Sequence, residues 1–148
     1  MGKLKVFVES EVKGTPEKAI VGDATITICH LTHQVMKGCS LANPKVHISA
    51  RVLKHLYDKK PAEEFDTLVK HAWKIARFPN QVYANKNSKR GDLLFVRWIK
   101  CNLYACSIEI GDSELAVVTL FRVRKERYLN NYRLIWSWKD GDPSSSGV

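Results

Sequence analysis

Between residues 93 and 123 three apolar runs, LLFVRWI, LYACSIEI and ELAVVTLFRV, are separated only by KCN and GDS. Nothing else in the chain limits its fold as strongly. Each run has the length and β-branched content of a strand. Connectors of three residues cannot carry a parallel crossover, so neighbouring runs must pair antiparallel. QVYAN (81–85) precedes them across KNSKRGD (86–92) and adds a fourth strand.

Ahead of these runs the apolar period is helical. Ile48, Val52, Leu53, Leu56 and Tyr57 share one face and predict a helix over 48–58, which Ser49 would cap. Phe65, Leu68, Val69, Ala72, Trp73 and Ala76 predict a second helix over 61–77. Pro61 suits its first turn, and Glu63 and Glu64 complement the positive end of its dipole. Pro79 ends it by disfavouring the α conformation at Phe78. Two helices before a four-stranded antiparallel meander form an α+β layer architecture.

The first 45 residues read as an appendage. KLKVFVES (3–10) alternates like a strand, and ATITICHLTH (24–33) is β-branched, which predicts an N-terminal β-hairpin with a long connection. MKGCSLANPK (36–45) reads as a linker. The expected division is 1–45 for hairpin and linker, 46–138 for the α+β domain and 139–148 for a disordered tail. Residues 125–138 fit either a last helix or a last strand.

The chain has 148 residues and 45% hydrophobic content, enough for one sizeable core. No secretory leader and no membrane-length apolar run is read, so a cytoplasmic protein with four reduced cysteines is expected. The net charge is +9. Residues 77–100 carry an excess of +5 and residues 122–133 one of +4, together the whole of it. Such concentration suits a phosphate-binding face, although a basic rim that protects strand edges would look the same. Tyr83, Phe95, Trp98, Tyr104, Phe121, Tyr128, Tyr132, Trp136 and Trp138 interleave with these cations. Exposed members would stack bases of single-stranded RNA, and the rest would be core.

Three residues can carry chemistry, although His55 taken alone reads better as a partly buried structural histidine and Thr119 also reads as an ordinary strand residue. His55 lies at the border of the first helix's apolar face, next to Arg51. An imidazole there can act as general base or acid near neutral pH. Arg97 interrupts LLFVRWI with a guanidinium that must find an anion, solvent or a cleft. Thr119 places a hydroxyl in LAVVTLF. A histidine, cations and a hydroxyl are what RNA cleavage without a metal uses, because the nucleophile is the RNA's own 2′-OH. Catalytic candidates are therefore His55, Arg97 and Thr119. RNA-binding candidates are Arg51, Lys86, Lys89, Arg90, Arg122 and Tyr132, with Tyr128 beside them. No cofactor is called for. Cys29, His30, His33 and Cys39 are of metal-ligand type, but their spacing is not that of a zinc finger, and no metal is expected.

The order of ISARVLKHLYDKK, IARFPNQVYANKNSKRGDLLFV, a central strand and LAVVTLFRV resembles the barnase/EndoU/colicin/RelE-like nuclease superfamily. It looks most like the small branch found in phages and prophages, over roughly residues 46–136. The resemblance implies a toxin-like endoribonuclease with RNA as substrate and an antitoxin or immunity protein as a possible partner. His55, Lys89 or Arg90, Arg97 and Thr119 match the family's pattern. The second strand histidine that some branches use as acid has no counterpart here. Two other classes fit the same charge: a non-catalytic nucleic-acid-binding module, and a phage accessory protein that meets an acidic partner.

Overall fold

The computed structural model describes residues 2–16, 21–85 and 92–138. Helices and strands follow in the order α1 (Gly2–Glu11), β1 (Thr25–His30), α2 (His33–Gly38), β2 (Lys45–Ser49), α3 (Ala50–Lys59), α4 (Ala62–Arg77), β3 (Gln81–Asn85), β4 (Leu93–Ile99), β5 (Asn102–Ile110), β6 (Leu115–Val123) and β7 (Tyr132–Ser137). A 3₁₀ turn, Glu126–Asn131, connects β6 to β7. The fold is α+β.

The longest of the described helices occupies the centre. Phe65, Leu68, Ala72, Ile75 and Ala76 of α4 are buried, at the three- and four-residue spacing that makes one continuous stripe. Glu63 and Glu64 sit in its first turn and Lys74 and Arg77 in its last, matching the helix dipole at both ends. α3 starts where Ser49 accepts a hydrogen bond from the Val52 N–H at 3.2 Å. That bond satisfies one of the donors a helix start leaves open.

Around α4 lies one seven-stranded sheet in the order β1-β2-β6-β5-β4-β3-β7. From β3 to β6 each strand pairs antiparallel with the next. The two-residue β4–β5 turn places Lys100 at φ 57. β7 adds antiparallel to β3, β2 adds parallel to β6, and β1 adds antiparallel to β2. The sheet is therefore mixed and larger than the four strands expected.

The N-terminal hairpin is also corrected. Residues 3–10 are helical, and β1 takes β2 as its partner instead. Leu4 and Val8 fit both an alternating and a helical reading; the discriminating residue is Val6, which a core-facing strand would bury and which is 66% exposed. Leu4 and Val8 of α1, with Val12 just beyond its end, join the same apolar core as α4, together with Leu31 and Val35. The segment read as a linker contains the end of α2 and the start of β2, whose Val46 and Ile48 are fully buried. Gly38 ends α2 against β7, where an added Cβ would lie 2.0 Å from Cδ1 of Trp136. No larger residue fits that approach.

A second, smaller apolar layer covers the sheet's other face. Leu94, Val96, Leu103, Ala105 and Val123 pack there beneath Tyr83, Phe121, Leu129 and Tyr132. The chain that leaves β6 crosses this face through the 3₁₀ turn to reach β7 at the sheet's far edge. Among the described residues no helix is long and apolar enough to cross a membrane. The 86–91 segment and the expected tail, 139–148, lie outside the described residues.

Candidate functional site

β6 changes neighbours half-way along its length. Its register with β2 covers Val46↔Leu115 and His47↔Ala116, after which the β2 chain turns into α3 at Ala50. The second half of β6 thus lies beside a helix.

A β-bulge also changes which way this half faces. Ser107 pairs with Thr119 but Ile108 pairs with Val117, so Val118 is the extra residue. Leu115 and Val117 point into the α4 core. Simple alternation would send Thr119 after them. The bulge turns it instead to the face of Phe121 and Val123.

These two features leave a hollow of about 780 Å³ around the outer edge of β6. His55, Leu56, Lys59 and Lys60 of α3 form one wall. Ser107, Thr119, Phe121, Arg122 and Val123 form the floor, and Arg124, Lys125, Arg127, Tyr128, Asn131 and Tyr132 form the opposite wall. His55 is exposed, so its ring is open to a ligand.

The charge in the hollow has one sign. Lys59, Lys60, Arg122, Arg124, Lys125 and Arg127 line it with no carboxylate among them. From behind, Glu64 holds Arg124 at 2.6 Å and Lys60 at 3.6 Å. Among the described residues no ion pair engages Lys59, Arg122, Lys125 or Arg127. An unneutralised cluster of this kind attracts a polyanion.

Aromatic rings complete the far wall. Phe121 and Tyr128 meet edge to face with centroids 5.6 Å apart, and Tyr128 and Tyr132 lie 5.5 Å apart with their hydroxyls 2.9 Å from each other. Burial, and then the neighbouring Tyr128 hydroxyl, push the Tyr132 phenol well above the usual tyrosine range. It stays a neutral hydrogen-bond donor at any physiological pH.

The structure therefore brings together His55, Thr119, Arg122 and Tyr132 of the residues proposed from sequence, with Tyr128 beside them. It does not bring Arg97. That side chain is 2% exposed, shares the α4 side of β4 with Phe95, and donates to the Phe78 carbonyl at 2.6 Å. Phe78 is the C-cap of α4, so the guanidinium serves the negative end of that helix. It belongs to a separate cluster with Lys70, Lys74 and Lys100 around His71, whose basicity is lowered first by burial and then by these cations. Arg97→Met is expected to destabilise the fold by about 1–3 kcal/mol, the cost of an unsatisfied buried carbonyl. Urea denaturation measures this loss, while activity per folded molecule stays at the parent level.

Arg51 pairs with Asp23 near the start of α3 and does not line the hollow. Lys86, Lys89 and Arg90 fall outside the described residues. Among the described residues no three His, Cys, Asp or Glu side chains gather as a metal site; Cys29 is buried, while His30 and His33 are exposed.

Lys59, Lys60, Ser107 and Asn131 were missed, and Arg124, Lys125 and Arg127 were read only as part of the charge cluster. Lys59 had a signal, since it follows His55 by four residues and so shares its helix face. Ser107 shares the face of Leu103 and Ala105 by plain alternation, but only the bulge in β6 brings Thr119 to that face beside it. No protein-family model matches the chain, and no similarity to a curated protein or to a solved structure is found.

Proposed function

We propose that the protein is a metal-independent endoribonuclease of the barnase/EndoU/colicin/RelE-like type, in its phage and prophage branch. The observation that carries this reading is the presence of His55 and Thr119 on one cationic hollow, from two elements distant in sequence.

In this reading the RNA backbone lies along the edge of β6, its phosphate held by Arg122, Lys125 and Arg127. His55 takes the proton of the 2′-OH. The 2′ oxygen attacks phosphorus, and the bond to the 5′ oxygen breaks as that oxygen is protonated from solvent. The hydroxyl of Thr119 donates to the crowded phosphorane, and the cations offset its growing negative charge. Arg122 takes the part first given to Arg97. The four cysteines are free thiols, in keeping with a cytoplasmic enzyme. An antitoxin or immunity protein with an acidic face would fit over the same hollow.

Purified protein incubated with total RNA in EDTA is expected to fragment it, with a rate that falls steeply as salt rises. Cleavage that requires a divalent ion would contradict the mechanism. Salt-sensitive binding without cleavage would leave a nucleic-acid-binding module.

A further inference from the structure

The wall opposite His55 is built for more than phosphate. Tyr128 is 39% exposed although it is a large ring beside a cavity. Its contacts with Phe121 and Tyr132 have interplanar angles of 82° and 47°, so neither is a parallel stack. Together with the exposure of Tyr128, this leaves part of its ring open to a flat ligand. The two phenols share one hydrogen bond, which uses one of their two protons and leaves the other to donate. The Asn131 side-chain amide donates to the Tyr128 carbonyl at 3.1 Å, which fixes the side chain and leaves its oxygen as an acceptor. A flat aromatic surface, a donor and an acceptor thus stand together beside Arg122, Lys125 and Arg127, which no ion pair among the described residues engages.

We infer that Tyr128, Asn131 and Tyr132 form a pocket for one unpaired nucleobase of a single-stranded RNA, next to the phosphate held by Arg122. The inference rests on the nucleic-acid reading of the hollow and adds its substrate class. A carboxylate peptide would satisfy the cations but leave the aromatic wall without a partner. Bases in a duplex are stacked on one another and cannot reach it. A single unstacked base satisfies both.

The test uses a fluorescent 2′-O-methyl RNA 12-mer, which offers no nucleophile and is not cleaved, and a set of the same oligomer with one abasic nucleotide at each position in turn. Binding to the full-length protein is followed by anisotropy. An abasic site at one position is expected to weaken binding about 10-fold, in line with the loss of one stacked base. Tyr128→Ala weakens the intact oligomer by a similar factor and removes the sensitivity to that abasic site. Tyr128→Phe, which keeps the ring, retains most of the affinity, so a fold defect is separated from a lost stack. The duplex form binds more weakly than the single strand. A flat abasic scan, or the same dip in Tyr128→Ala, overturns the base pocket while the cationic cleavage site stands. No salt-sensitive binding of any oligomer overturns both.

Discussion

His55→Ala is expected to lower the rate of RNA cleavage about 100- to 10,000-fold, the range a positioned general base contributes. The same change should leave stability within about 0.5 kcal/mol of the parent, because the side chain is exposed and alanine is a good helix former. Initial rates on a labelled RNA, set beside urea denaturation of both proteins, measure the two quantities. The combination is diagnostic. A structural histidine would lose stability and activity together, and a bystander would lose neither. Binding of an uncleavable oligomer should survive, since Arg122, Lys125 and Arg127 remain.

Phe65→Ala is expected to cost about 3–5 kcal/mol, the usual penalty for emptying a well-packed aromatic site. Phe65 is 1% exposed at the start of α4 and meets Tyr57 of α3 edge to face, with centroids 5.3 Å apart. Its removal opens a void at the junction that holds α3 on α4. A domain of this kind has about 5–15 kcal/mol in all, so the urea midpoint should fall sharply. Cleavage by this variant should follow its folded fraction. A loss below 1 kcal/mol would mean that α4 is not the centre of the core.

How far the chain discloses its own structure depends on how local each cause is. α4 was readable almost to the residue and α3 to within two, because their stripes, the Ser49 cap and the Pro79 stop act within a turn or two; Ile48, read onto the α3 stripe, belongs instead to strand β2, which runs into the helix. The antiparallel run from β3 to β6 follows from connectors too short for any alternative. The segment 3–10 misled because Leu4 and Val8 satisfy two periods at once, and only packing against α3, α4 and β1 chooses the helix. The pairing of β2 with β6 joins residues some seventy positions apart and leaves no local mark.

The site divides in the same way. The cations of FRVRKERY were legible as a charge cluster, and His55 as an imidazole at a helix border. Thr119 reaches the hollow through a bulge that the sequence does not announce. By plain alternation it would have faced the core. Arg97 shows the opposite error: its isolation among apolar residues marked a real demand for a partner, but the partner is a helix end.

In the proposed reading the cationic hollow cuts RNA through the substrate's own 2′ oxygen. The most direct measurement is the chemical identity of the new ends, read by mass spectrometry after the protein has acted on a defined oligoribonucleotide in EDTA. Fragments ending in 2′,3′-cyclic phosphate, formed by the parent and not by His55→Ala, are the predicted result. Fragments ending in 5′-phosphate and 3′-hydroxyl, or intact RNA, would contradict it.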